Sequence, residues 1–192
     1  HDSCSRRQKR HPSGQSRGSM SAVASKGKWA QGIRPRNFHW VIAERLAVCE
    51  RPGGYGANHR KVRRQEEIIW VREQGFTCVI SMIAAPLNLH NYDELGVVWR
   101  HRPVPEDDLG IFETAFFAEL RMLLERGERI LIHAEELSDR VCGLIAGYLL
   151  WNGLVENPPR VVTVIEQLTQ RQLGPIGREL VAISLTIPPP SA

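Results

Sequence analysis

Arg129-Ile130-Leu131-Ile132-His133-Ala134-Glu135-Glu136-Leu137-Ser138-Asp139-Arg140 is the stretch that decides how this chain is read. Arg129–Ile132 is a short apolar run, long enough for one buried central strand. A polar turn comes next, and from Arg140 to Trp151 the residues are almost all apolar, a helix buried on most sides. Where a strand stops and a buried helix starts, the first turn of the helix exposes unpaired N–H groups and a partial positive charge. That place suits an oxyanion. Arg140 sits at it, with a guanidinium able to grip a phosphate through two parallel hydrogen bonds.

Outward from this stretch, strands and helices alternate. Phe38–Ile42 and Leu46–Cys49 read as two short strands meeting at a turn, and Pro52–Gly56 as a loop. Arg60–Gln74 reads as a helix with Val62, Ile69 and Trp70 among its apolar positions, closed by Gly75. Thr77–Ile83 is a β-branched run typical of a buried strand, and Val97–Arg102 is another strand leading into Pro103–Asp108. Phe112–Arg126 repeats Phe116, Leu120, Leu123 and Leu124 at helical spacing, with Gly127 to end it. Arg160–Gln170 and Arg178–Leu185 complete a helical C-terminal part. This order predicts an α/β fold with a central mixed sheet and helices on both faces, whose ligands gather where strands end and helices begin.

Composition sets the outer limits. The chain has 192 residues, 42% hydrophobic and 24% charged, which suits one globular domain with a substantial core. The net charge of +4 is uneven: residues 1–36 carry +8 and the remainder −4. Residues 1–35 read as a disordered basic tail without an aromatic until Trp29, able to touch nucleic acid only non-specifically. Residues 36–186 read as the folded domain and 187–192 as a Pro-rich tail. No apolar run suits a membrane span and no signal peptide is visible, so a cytoplasmic protein without membrane contact is expected. Cys4, Cys49, Cys78 and Cys142 lack metal-ligand spacing, and the last three lie in apolar surroundings as structural thiols. His133, Glu135, Glu136 and Asp139 fit no metal motif, so neither metal nor cofactor is expected. Arg60, Lys61, Arg63 and Arg64 are read as paired along their own helix with Glu66, Glu67 and Glu73.

Strand, His, Cys, five residues, Arg, helix is the signature of cysteine-dependent protein phosphatases, and the quoted stretch resembles it. Asn37–Ile42, Arg45-Leu46-Ala47 and Arg51-Pro52 look like the opening of the small atypical dual-specificity phosphatases. Gly75–Ser81 is similar to their "G-x-x-x-V-I-S-L" strand, Pro103–Asp107 falls at their general-acid loop, and Arg126-Gly127-Glu128 and Ala146–Leu149 flank the signature as expected. The resemblance spans about residues 36–186. It implies a protein tyrosine phosphatase-like fold of the dual-specificity type, with 133–140 as the phosphate loop: His133, Glu135, Glu136, Leu137, Ser138, Asp139 and Arg140 around position 134.

The departures bear on chemistry. The nucleophilic cysteine falls on Ala134, and a methyl group forms no phosphoenzyme. The loop glycine falls on Leu137, which resists positive φ, and the Ser/Thr after the arginine falls on Val141. Residues 133–140 carry a formal charge of −2, and inward-pointing carboxylates would repel a phosphate dianion. Glu106, or else Asp107, stands where the family has its acid; the plainer role of both, with Asp108, is to cap the next helix. His133 is expected to be a hydrogen-bonded core histidine. Arg140 either grips phosphate or pairs with Glu135, Glu136 or Asp139. Cys142 is expected to be inert in its apolar setting. Together these residues point to a pseudophosphatase that binds a protein or phosphorylated partner without turnover. The alternatives are an active phosphatase whose cysteine at position 134 was replaced by engineering, and a purely structural interaction module. Three changes together (Ala134, Leu137, Val141) favour divergence over one engineered replacement.

Overall fold

A computed structural model describes residues 31–54 and 61–191. Cys4, Arg60 and most of the expected basic tail lie outside these residues. In chain order the elements are β1 (His39–Ile42), β2 (Leu46–Glu50), α1 (Lys61–Glu73), β3 (Cys78–Ser81), α2 (His90–Glu94), β4 (Trp99–His101), α3 (Leu109–Glu125), β5 (Ile130–Ala134), α4 (Asp139–Trp151), α5 (Pro158–Thr169) and α6 (Pro175–Ser184). The fold is α/β, as the alternation predicts. One five-stranded sheet runs β1-β2-β5-β3-β4, with β1 antiparallel to β2 and every other pair parallel.

Parallel strands need cover on both faces, and two helical layers provide it. Ile130 and Ile132 of β5 pack with Leu46, Val48 and Ile80 against α3, α4, α5 and α6. Leu131, between them, packs with Ala47, Cys49 and Val79 against Ile68 and Val71 of α1 and Tyr92 of α2. All five residues of β5 are buried, which is why the run lacks the polar alternation of a one-sided strand.

Several boundaries differ from expectation for identifiable reasons. Helices α5 and α6 begin earlier because Pro158 and Pro175 sit in their first turns, and Asn157 caps α5 by accepting from Arg160 N–H. The inward face of α1 is Arg64, Glu67, Ile68 and Val71, whereas Val62 is exposed. The expected intrahelical pairing holds for Arg63 and Glu67, whose Nε and Oε1 are 2.6 Å apart. Helix α2 departs from the expected order altogether, since five residues are too few to show a 3.6-residue period. Packing also continues on either side of 36–186. A side chain at Gly32 would collide with the Glu66 carbonyl, to which Ile33 N–H donates. Ile187 is buried in the core, and Trp151 Nε1–H donates to the Pro188 carbonyl. Among the described residues no helix is long and apolar enough to cross a membrane.

The α3–α4–α6 layer contains one electrostatic misfit. Glu113 of α3 is fully buried, and among the described residues neither carboxyl oxygen has a hydrogen-bond partner. Burial pushes its pKa up to about 8, so the folded protein holds this proton at neutral pH while the unfolded chain releases it. The proton is bound more tightly in the folded state, so the residue's contribution to stability falls as pH rises from about 4.5 to about 8 and then levels. Glu113→Gln is expected to abolish that part of the slope. In urea titrations at pH 5 and pH 8, the parent should lose on the order of a few kcal/mol relative to the variant. An equal pH dependence for the two proteins would contradict the assignment.

Candidate functional site

The C-terminal end of β5 is clamped on both sides. Met82 N–H donates to the His133 carbonyl at 2.8 Å, and Arg51 N–H to the Ala134 carbonyl at 2.7 Å. The chain then leaves the sheet and re-enters regular structure at Ser138, which caps α4: its Oγ accepts from Val141 N–H at 3.3 Å and its carbonyl from Cys142 N–H. The helix thus starts at Asp139, one residue before the expected Arg140. Among the described residues the non-glycine positions with positive φ lie elsewhere, at Asn37, Glu44, Asn88, Asp108 and Gln170. The turn is therefore built without a left-handed residue, and Leu137 fits it with its side chain buried in the core. The Leu137 carbonyl accepts from Arg171 Nη1–H at 2.9 Å. No group among the described residues accepts from the backbone N–H of Glu135, Glu136 or Leu137.

Two of the loop's three acids are engaged away from Arg140. Asp139 bridges to α6, accepting from Gly174 N–H at 2.5 Å and Gly177 N–H at 2.9 Å. This carboxylate caps a neighbouring helix, and a side chain at Gly177 would collide with it. Glu135 pairs with Arg51 at 2.9 Å, and Glu136 is exposed. The pairing of Arg140 with Glu135, Glu136 or Asp139 is thus corrected: its Nη1–H donates to the Pro105 carbonyl at 2.6 Å and its Nη2–H to Glu106 Oε2 at 3.1 Å. The Pro103–Asp107 segment accordingly lies against the start of α4. Asp107 is exposed. The expected acid cap on α3 does not form either, because Asp108 occupies the N-cap at φ 55° without a side-chain hydrogen bond, while Glu106 turns to Arg140.

His133 and Ala134 are buried, and their side chains alternate across the sheet. Ala134 joins the α3–α6 core. His133 meets α2, where its Nδ1 lies 2.8 Å from the Tyr92 hydroxyl, a core histidine as expected. Burial first, then the nearby charge of Arg51 and His101, lowers its pKa to about 3, so the ring is neutral. Cys142 is buried with Sγ directed to the Leu137 carbonyl, and burial raises its pKa. Its thiol is neither exposed nor ionised at neutral pH. Among the described residues no group of three or more His, Cys, Asp or Glu side chains is placed to hold a metal ion.

Three residues of this neighbourhood carried no role in the sequence: Arg51, Tyr92 and Arg171. Arg51 had one legible signal, its place at the C-terminal end of a strand parallel to β5. Tyr92 and Arg171 belong to a helix too short to anticipate and to a loop after α5, and no local pattern marks them.

No protein-family model matches the chain, and no curated protein matches it in sequence. Solved structures do match in fold. Kinase-associated phosphatase, in a form with its catalytic-site cysteine replaced by serine, aligns over 75% of this chain and 90% of its own, with 18% identity and a TM-score of 0.63. The catalytic core of the PP-IP phosphatase Siw14 from S. cerevisiae aligns over 79% and 87%, at 16% identity and a TM-score of 0.56. Human tyrosine phosphatase-like serine/threonine/tyrosine-interacting protein aligns over 78% and 93%, at 11% identity and a TM-score of 0.56. At such identities the likeness establishes architecture: the chain has a protein tyrosine phosphatase-like α/β fold of the dual-specificity type.

If Asp139 anchors α6 to the loop, Asp139→Ala should lower stability by about 1–3 kcal/mol in chemical denaturation, the range for charged hydrogen bonds and lost caps. A change below a few tenths of a kcal/mol would show that α6 does not depend on it.

Proposed function

We propose that the chain is a pseudophosphatase: it binds a phosphorylated protein segment at the turn between β5 and α4 and does not hydrolyse it. The absence of turnover rests on Ala134, which the family resemblance sets at the nucleophile's position. Its methyl group has no lone pair to attack phosphorus. Cys142 is no substitute, since its thiol is buried and held protonated.

Binding is supported chiefly by one observation: none of the three loop carboxylates is paired with Arg140. Glu135 is turned to Arg51 and Asp139 to α6, so the loop's formal charge of −2 need not repel an incoming anion. The N–H groups of Glu135, Glu136 and Leu137 and the first turn of α4 are the kind of donors a phosphate accepts from. Arg140 is engaged by the exposed Glu106, a pairing of a kind worth about 0–1 kcal/mol that a dianion would displace. One fold neighbour bears the name of a phosphatase-like interacting protein, and the same role is proposed here. A second reading, an interaction module blind to phosphate, draws support from the Pro105 carbonyl and Glu106 together, which already engage both terminal nitrogens of Arg140.

Fluorescence anisotropy with a phosphotyrosine peptide and its unphosphorylated twin separates the two. The expected result is preference for the phosphopeptide, and a loss of affinity of about tenfold or more in Arg140→Met, as for a lost charge-assisted hydrogen bond. Equal affinity for both peptides, or no effect of Arg140→Met, would favour the module. Release of inorganic phosphate by the unmodified chain would overturn the proposal.

A further inference from the structure

Glu106 is the first of three consecutive acids, Glu106, Asp107 and Asp108, all exposed on the segment that leads into α3. Arg140 fixes where this segment lies: its Nη1–H donates to the Pro105 carbonyl at 2.6 Å and its Nη2–H to Glu106 Oε2 at 3.1 Å. Asp107 and Asp108 follow at once, so their Cα atoms stay within about 8 Å of that of Glu106. Among the described residues neither side chain is hydrogen-bonded or ion-paired, and Asp108 does not cap its own helix. Glu136, on the turn itself, is likewise exposed and without a side-chain partner among the described residues. The other arginines that reach the turn do not meet these acids: Arg51 pairs with Glu135, and Arg171 donates to the Leu137 carbonyl. The segment after β3, by contrast, carries no charge at all over residues 82–89.

This distribution bears on what can accompany a phosphate at Arg140. A phosphate that takes the guanidinium releases Glu106. The dianion then shares the neighbourhood with the freed Glu106, Asp107, Asp108 and Glu136, and like charges at such range repel unless a cation comes between them. The N-terminus of α3 favours acids at its start but supplies only a partial charge. A neutral or acidic peptide leaves the repulsion in place. A peptide with Lys or Arg next to the phosphorylated residue relieves it, because that side chain pairs with the freed carboxylate while the phosphate keeps Arg140. The Arg140–Glu106 pair is thus exchanged for two pairs across the interface.

We infer that the partner carries Lys or Arg beside its phosphorylated residue, and that Glu106, Asp107 and Asp108 receive this basic side chain. The inference rests on the phosphate binding proposed above and adds the charge of the sequence around the phosphate.

The test is fluorescence anisotropy of the full chain with four peptides of one sequence, phosphorylated or not, each with Arg or with Ala on both sides of the target residue. The Arg-flanked phosphopeptide is expected to bind about 3–10-fold more tightly than the Ala-flanked one, the range for one or two exposed ion pairs. The ratio should shrink toward one as salt is raised, and fall to about twofold or less in the double variant Asp107→Asn, Asp108→Asn. Should that variant fail to fold, Asp107→Asn alone, which keeps the α3 N-cap, is expected to lower the ratio. Equal affinity for the two phosphopeptides, both above their unphosphorylated twins, would overturn the inference and leave the phosphate reading standing. An Arg-flanked peptide bound equally with and without phosphate would overturn both. A ratio undiminished in the folded variants would show that these acids serve α3 alone, and the inference would fall.

Discussion

The site hangs from the burial of β5. This strand pairs in parallel with β2 on one side and β3 on the other, and helices cover it above and below. It has no freedom to shift register without moving a whole face of apolar side chains to the wrong layer. Its carbonyls at His133 and Ala134 are then fixed by Met82 and Arg51 from the two adjoining strand ends. Beyond Ala134 the chain makes a short turn into α4, whose first residue is tied to α6 through Asp139. The turn's shape is set from both ends before any ligand is considered, the kind of preorganisation a binding loop requires.

The proposed binding role depends on how charge is partitioned at this turn. Four acids (Glu106, Glu135, Glu136 and Asp139) and three arginines (Arg51, Arg140 and Arg171) meet at or beside it. Three of the acids could have neutralised Arg140 from inside the turn, yet two have other partners and the third is exposed. The acid that does reach Arg140 is Glu106, from the segment where the family resemblance would seat a proton donor. It is 88% exposed, and exposed ion pairs contribute little. On the proposed reading there is no leaving group to protonate, and this residue would act as an electrostatic latch. A phosphate that recruits several loop N–H groups as well as Arg140 competes well against one solvated carboxylate.

The amino-acid pattern made some of this legible and hid the rest. Strand β5 and helix α4 are readable because uninterrupted apolar runs, one short and one long, leave few options, and the turn between them comes with them. The inert Cys142 was readable from its apolar neighbours. The partners of individual charges were not. Asp139 read as loop acidity, yet its target is the start of a helix that lies far along the chain. Arg51 and Glu135 meet only because β2 and β5 are neighbours in the sheet. Helix α2 has no legible signal of its own, and the Tyr92–His133 contact is hidden with it. Periodicity reports which face a residue occupies; it does not report which distant charge will share that face.

The most direct test is turnover of an aryl phosphate by Ala134→Cys, assayed beside the unmodified chain. The expected result is slow hydrolysis by the variant, with a covalent phosphocysteine detectable by mass spectrometry, and none by the parent. That would show that the phosphate seat persists and that only the nucleophile is missing. Silence from a folded variant would show that Leu137 and Val141 have closed the seat. Equal turnover by both proteins would show that catalysis does not use position 134 at all, and either outcome would contradict the account.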